Sequence, residues 1–301
     1  MIERNELLGI VACPACRGTL VSFANCNHCG AKYSESGGTP VLIPAEASRT
    51  VSYHFNVARS VVGEQFRQCF TYPPEVVAAS AGQPYHLDQA HAVVLDQLSP
   101  KSTILEIGCG GGQMRNYVES KGHRYVGTDI SKTRVYDHLR HFGGADILCD
   151  SHFLPFTERA FDLVYSAAVT EHLASPYLVA QEVARVLKPG GYYLGNVSFL
   201  EPWHDDSFFH MTPLGAFELL TQAGFDIHHI WPGRGYSGFR AMMKMGNKAT
   251  QTLAFLGDAM YFIYNSGNRL RNLVKSHKSA DIAVAARVAG ATDWIARRPM
   301  D

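Results

Sequence analysis

The stretch Ile104-Leu-Glu-Ile-Gly-Cys-Gly-Gly-Gly112 decides how this chain folds. An apolar run ends in a glycine-rich bend, and a helical pattern begins near Gln113, so strand, loop and helix follow in order. Gly108, Gly110 and Gly112 let the backbone turn where any Cβ would intrude, and the first amides of the helix face the same space. Asp129 ends the next β-rich run, 23 residues after Glu106. A carboxylate there can accept hydrogen bonds from both hydroxyls of a ribose. A dinucleotide fingerprint in this register would place a further glycine at position 113, where this chain has Gln113.

Outward from the bend, short β-rich runs alternate with helical patterns, the mark of a parallel sheet with crossover helices. The pattern predicts strands at 103–107, 124–128, 145–149, 161–166, 191–198 and 225–231. A helix is expected over 176–188, with Ser175 as N-cap, Pro176 in the first turn, and Val179, Val183, Val186 and Leu187 on one face. Lys188-Pro-Gly-Gly191 should stop it. Residues 236–288 read as mainly helical, with Leu253, Leu256, Met260, Ile263, Leu270 and Leu273 at helical steps, and 290–297 as a last strand. The expected organisation is a Cys- and Gly-rich segment over 1–45, a linker and helical lid over 46–100, and an α/β domain over 101–301 with a helical insertion at 236–288.

The chain has 301 residues, 46% of them apolar, which is enough for one large domain and a small appendage. Its 27 basic and 27 acidic side chains cancel, which argues against general affinity for nucleic acid. The start resembles no secretion signal, and no run approaches the roughly 18 apolar residues that span a bilayer, so the expectation is a cytoplasmic protein.

Five segments together resemble the class I S-adenosylmethionine-dependent methyltransferases, in particular those acting on small molecules, lipids and quinones. They are LEIGCGGG, GTDIS, CDSHFLPFTERAFDLVYS, AAVTEHL and EVARVLKPGGYYLGNVS, within about residues 85–231. The resemblance implies a Rossmann-like seven-stranded sheet and S-adenosylmethionine as cofactor. It implies Glu106 near the methionine end, Gly108, Cys109 and Gly110 around the carboxypropyl chain, and Asp129 with Ile130 at the ribose. Asp150 and Ser151 would face the adenine, and Ser166 with Ala167 would close the floor. Phe153 and Leu154 fit either core packing or adenine contact.

Methyl transfer from a sulfonium needs alignment and exclusion of water more than it needs a base. Groups able to bind or deprotonate an acceptor follow the strand ends: His172, and then His204, Asp205 and His210 in the loop after the fifth strand. Each also has a plainer reading as a structural hydrogen bond or part of a polar loop. Tyr85, with Tyr53, His54 and His86, is a lid candidate, and a tyrosine over the sulfonium would gain cation–π attraction of about 0.5–2 kcal/mol.

Cys13-Pro-Ala-Cys16 and Cys26-Asn-His-Cys29 form two C-x2-C turns nine residues apart, the pattern of a closed four-thiolate zinc site. A segment of 45 residues buries little core, so structural zinc is expected to fold it. The segment resembles the zinc-ribbon proteins that bind and activate methyltransferases, and also the ribbon that begins ribosomal RNA guanine methyltransferases. An RNA-docking ribbon should be basic, whereas residues 1–45 balance Arg4, Arg17 and Lys32 against Glu3, Glu6 and Glu35.

From Arg269 to Arg298, seven basic residues stand against two Asp. That stretch reads as a surface for an acidic substrate or an anionic membrane, or as a solvated face beside a homodimer or lid contact. The leading expectation is a biosynthetic methyltransferase with a small-molecule acceptor. The alternatives are methylation of ribosomal or transfer RNA, non-methyl chemistry such as cyclisation or aminocarboxypropyl transfer, and a non-catalytic binding partner.

Overall fold

The computed structural model describes residues 2–44, 64–74, 83–84, 86–132, 142–233, 236–274 and 281–301. The N-terminal segment runs from α1 (Arg4–Ile10) through both cysteine turns to a hairpin of β1 (Ser34–Ser36) and β2 (Thr39–Val41). Gly37 and Gly38 both take left-handed φ at its tip, as the tightest hairpin turn requires. From the stretch expected to form a lid, α2 (Glu64–Cys69) and α3 (Gln89–Asp96) are described; Tyr53, His54 and Tyr85 lie outside the described residues. Asp88 caps α3 by accepting from the Ala90 N–H at 2.8 Å.

The sheet is built around β3 (Thr103–Ile107), buried at every position as a strand covered on both faces must be. After α4 (Met114–Ser120) come β4 (Arg124–Asp129) and β5 (Ile147–Leu148), parallel on one side of β3. β6 (Phe161–Ser166), α5 (Pro176–Val186) and β7 (Leu187–Ser198) build the other side. Among the described residues the chain then forms α6 (Pro213–Gln222), β8 (Asp226–Pro232), four helices and β9 (Ala291–Arg297). β9 inserts antiparallel between β7 and β8, giving the order β5-β4-β3-β6-β7-β9-β8. The four helices are α7 (Gly238–Lys244), α8 (Lys248–Thr252), α9 (Ala254–Val274) and α10 (Asp281–Ala286), where the helical insertion was expected.

Strand periodicity divides the core in two. Leu105, Ile107, Val126 and Val164 face α5, α6 and the N-terminal segment, while Ile104, Tyr125, Leu163 and Tyr165 face α3 and α4. His91 of α3 is fully buried on the second face, its Nε2 3.0 Å from the Trp294 carbonyl, and burial pushes its pKa down.

Three local readings are corrected. Ser175 does stand at the N-cap of α5, but its side chain caps nothing; its N–H donates instead to His152 Nε2 at 3.1 Å. The helix ends at Val186, and β7 starts at Leu187, four residues before the expected strand. Gly190 takes a φ of 74° and the register against β6 shifts there, so Pro189-Gly190 is an irregularity inside the strand rather than a stop before it. β5 shrinks to two residues because Asp146 is occupied by the Gly127 N–H at 2.8 Å and Arg115 at 3.0 Å.

The N-terminal segment does not stand alone. Val41 of β2 pairs with Leu148, which extends the sheet to nine strands, and Ala12 and Thr157 exchange backbone bonds with Pro155 and Ile10 at 2.9 and 2.8 Å. Leu7, Val11, Leu20, Phe23 and Leu42 are buried in the same core as the sheet. Arg17 follows the first cysteine pair with a φ of 64°, a left-handed conformation that costs an ordinary residue about 1–2 kcal/mol. Its guanidinium offsets that cost by donating to Glu182 Oε2 at 2.8 Å and the Leu154 carbonyl at 2.9 Å. At the equivalent place after the second pair stands Gly30, with φ 75°.

Chemical denaturation should therefore find Arg17→Ala destabilised by about 1–3 kcal/mol. Arg17→Gly, which loses the same contacts and relieves the strain, should be the more stable of the two variants, and the reverse order would show that the left-handed backbone at this position costs little.

Candidate functional site

Between β3 and β6 the strand order changes direction, and the carboxyl ends of these strands open on a cavity of about 580 Å³, a size suited to a small-molecule ligand. The bend after β3 forms one wall through Gly108 and Gly110. A Cβ at Gly108 would come within 2.3 Å of the Val169 side chain, and its φ of 65° is left-handed as well, so only glycine fits. At Gly110 a Cβ would meet nothing within 4 Å; it would project into open space beside the cavity.

Asp129 ties this bend to the end of β4. Its Oδ2 accepts from the Gly110 N–H at 2.8 Å and its Oδ1 from the Ser131 N–H at 3.1 Å. Each oxygen keeps a second lone pair, so the carboxylate is fixed in orientation and still able to accept from a ligand. Asp150 is held the same way: its Oδ1 accepts from the His152 N–H at 2.9 Å and lies 2.6 Å from His152 Nδ1. Because His152 Nε2 accepts from Ser175, the ring hydrogen must sit on Nδ1 and point at Asp150. Asp129, Asp150, Asp205 and Asp206 all line the cavity, which makes it a receptor for positive charge.

Ile130 and Ser151 also line it. Glu106, Cys109 and Ser166 are buried and do not line it; Glu106 bonds to the Tyr125 hydroxyl, with His86 Nε2 at 4.0 Å. Burial pushes the Glu106 carboxyl up to about 8 against the opposing Tyr125 bond and Arg115 charge, and burial also lowers His86 to about 4. Phe153 and Leu154 are not cavity walls, and Leu154 is buried in the core.

The groups expected near an acceptor gather at one side. His172 lines the cavity, with the His204 ring 5.4 Å away and His210 5.7 Å beyond His204. His204 Nδ1 donates to the Pro202 carbonyl at 2.8 Å, which leaves Nε2 as the lone-pair nitrogen, 3.8 Å from Glu201. Glu171 is fully buried, and the Ser198 hydroxyl lies between it and Glu201 at 2.6 and 2.9 Å. Burial raises the pKa of Glu201. Glu171 Oε2 and His172 Nδ1 are buried with no partner among the described residues. Ligand atoms of Glu171, His172 and His204 lie within 4.8 Å of one another, close enough for one ion.

Sequence reasoning missed Ala168, His152, Ser198, Glu201 and Asp206. Ala168, Asp205 and Asp206 take left-handed φ of 54°, 42° and 58° and all line the cavity, so backbone strain is concentrated there. The Asp205-Asp206 pair was the available signal for Asp206; nothing local marks the others.

In the N-terminal segment the four cysteines come together, with Sγ–Sγ distances of 3.7 Å for Cys13–Cys29 and 3.6 Å for Cys16–Cys26 and all four within 4.8 Å. A tetrahedral zinc with bonds of about 2.3 Å places its sulfurs about 3.8 Å apart, so these residues fit that ion.

Residues 105–195 match a family model described as a methyltransferase domain. The match begins in β3 and ends in β7, and it contains the glycine bend, Asp129, Asp150 and His172. The sheet that holds the matched residues has the Rossmann-like class I arrangement that the motifs imply. The chain is 32% identical over 152 residues to 24-methylenesterol C-methyltransferase 2 of Arabidopsis thaliana, covering 48% of this chain and 42% of that one. It is 32% identical over 115 residues to 2-methyl-6-phytyl-1,4-hydroquinone methyltransferase of Synechocystis sp., covering 35% and 36%. The chain thus spans less than half the length of these curated relatives. Among solved structures it resembles Haemonchus contortus phosphoethanolamine N-methyltransferase 2 in complex with S-adenosyl-L-methionine, with TM-score 0.46 and 19% identity over 69% of this chain and 51% of that one.

A carboxyl whose folded pKa is raised contributes stability in full below its unfolded value near 4.5, and that contribution is lost as pH rises through about 8. In melting experiments on the ligand-free protein, Glu106→Gln should therefore gain stability relative to wild type between pH 5 and pH 8. A constant difference across that window would show that Glu106 is already ionised.

Proposed function

We propose that this chain is an S-adenosylmethionine-dependent methyltransferase that acts on a lipophilic small molecule in a biosynthetic reaction. The observation that carries the reading is the cavity itself: glycine amides on one wall and four aspartates around a space sized for a nucleoside. The donor brings a sulfonium, an ammonium and an adenine amine, and each favours such surroundings. Asp129 accepts from the ribose hydroxyls through its remaining lone pairs, and Asp150, anchored by His152, accepts from the adenine amine. Glu106 serves the methionine end from beneath the bend.

The sterol and hydroquinone substrates in the relatives' names support an apolar acceptor, as do exposed Trp203, Phe208 and Phe209 on the loop beside the cavity. The acceptor's electron pair attacks the methyl carbon in line with the breaking C–S bond, whose electrons return to sulfur as a neutral thioether. Positioning both partners is the chain's main contribution and is worth roughly 7–11 kcal/mol. When the acceptor carries a proton to be lost, the lone-pair Nε2 of His204, reached through His172, receives it, and Glu201 and Glu171 stabilise the imidazolium that results. Asp205 and His210 shape the loop that presents this pair, and Ser166 with Cys109 supports the floor.

Cys13, Cys16, Cys26 and Cys29 hold a structural zinc ion in this reading. Bound there, zinc supplies a cross-link between the two cysteine turns and no reaction chemistry. Metal analysis should find one zinc per chain lost in Cys16→Ser, and a chelator should lower the melting temperature. A chelated protein that melts unchanged would remove zinc from the account.

Calorimetry on zinc-replete protein should detect both S-adenosylmethionine and S-adenosylhomocysteine, and Asp129→Ala should weaken each about tenfold to a hundredfold, as expected from lost bonds to a charged acceptor. Turnover should release S-adenosylhomocysteine with a lipid extract and not with an RNA fraction. No heat from well-folded protein refutes the donor assignment, and methylthioadenosine as product would replace methyl transfer by other chemistry.

A further inference from the structure

Helix α9 is built inside out for a helix on a water-facing surface. Phe255, Phe262, Ile263 and Leu270 recur at seven- and eight-residue steps on one face, with Leu256 and Met260 beside them, and all six are 42–72% exposed. The opposite face is the occupied one. Tyr264 lies 6.3 Å from Phe239 of α7, Asp258 pairs with Arg240, and Gly257 packs so closely that a Cβ would come within 2.8 Å of the Arg240 backbone. Exposed Met242 and Met245 of the α7 region add to the apolar surface. An apolar band of this extent on a packed helix marks a place where something other than water is met.

Charge identifies what. Residues 238–274, which span α7 to α9, contain five basic residues, Arg240, Lys244, Lys248, Arg269 and Arg271, against Asp258 alone. That is a net of +4 in a chain whose total is zero, so the remaining residues carry −4. A second copy of this chain would bring four positive charges against four, whereas a bilayer with anionic headgroups complements both the charge and the apolar band. No helix among the described residues is long and apolar enough to cross a membrane, so the association is interfacial. The region adjoins the cavity's mouth: Leu200, at the start of the loop carrying Phe208, packs against Gly238 at the first turn of α7.

We propose that α7 to α9 form a monotopic docking surface for an anionic lipid bilayer, with the apolar face of α9 entering the interface and the exposed Lys244 and Lys248 contacting headgroups. It deepens the reading above, on which its role in supply rests: a lipophilic acceptor passes from the bilayer to the cavity without crossing water.

Co-sedimentation of the full zinc-replete chain with vesicles tests it. Vesicles of phosphatidylcholine containing phosphatidylglycerol should retain the protein, pure phosphatidylcholine should retain much less, and added salt should release it. Phe262→Glu/Ile263→Glu should lower the partition coefficient by at least about tenfold. Lys244→Glu/Lys248→Glu should lower it on anionic vesicles only. Both variants should still bind S-adenosylhomocysteine in calorimetry, which shows that they fold and separates this proposal from the donor assignment. Absence of wild-type binding to anionic vesicles overturns it. So does a wild-type dimer in sedimentation that Phe262→Glu/Ile263→Glu converts to monomer, because a second copy then covers the face.

Discussion

One carboxylate holds the cavity wall in shape. Asp129 spends one lone pair of each oxygen on the backbone, Gly110 on one side and Ser131 on the other, and so joins the bend after β3 to the end of β4. That bend holds three glycines, Gly108, Gly110 and Gly112, in left-handed conformations, and glycine loses more freedom on folding than any other residue. Without an anchor it would sample many shapes, and the cavity would have no fixed wall. Asp150 repeats the device one strand further on, with His152 held between it and Ser175. The two carboxylates are therefore fixed in orientation before any ligand arrives, and ordering them costs nothing at the moment of binding.

The same economy explains how the cysteine-rich segment is attached. It is too short to hold a core of its own, and its apolar side chains pack on the sheet face that α5 and α6 also cover. Arg17 reaches from the first cysteine turn to Glu182, which also accepts from the Leu154 N–H and from Arg185. Leu154 lies three residues beyond Ser151 at the cavity wall. Hydrogen bonds from Arg17 to the Leu154 carbonyl and Glu182 thus tie the first cysteine turn to the segment that carries Asp150.

What the residues revealed, and what they withheld, follows the range of the forces involved. Strand, bend, helix and acid could be read from 104 to 129 because each is a local choice of backbone conformation, and the order of strands followed from their alternation with helices. The insertion before β9 was legible for the same reason. Contacts between distant positions were not. Nothing near Arg17 points to Glu182, 165 residues away, and nothing near His152 shows that the Ser175 backbone N–H will donate to it. The early start of β7 was hidden because Pro189-Gly190 reads as a terminator, and only pairing with β6 and β9 on both sides carries the strand through it. The Ser198 hydroxyl between Glu171 and Glu201 belongs with these long-range contacts.

A neutral total charge concealed a strong internal separation. The cavity concentrates Asp129, Asp150, Asp205 and Asp206, whereas α7 to α9 carry five basic residues against Asp258 and an exposed apolar face. The loop that begins at Leu200, packed against Gly238 of α7, carries Asp205 and Phe208 into the cavity wall and so stands between the two regions. In the proposed reaction a cationic donor meets a water-averse acceptor, and such a boundary would let each be drawn from a different phase with water excluded where they meet. The left-handed Asp205 and Asp206 sit at that boundary, and their strain is sustained by the Phe208 and Phe209 N–H groups that bind the Glu171 carbonyl at 2.6 and 3.1 Å. The chain invests its irregular backbone where the two environments have to be kept apart.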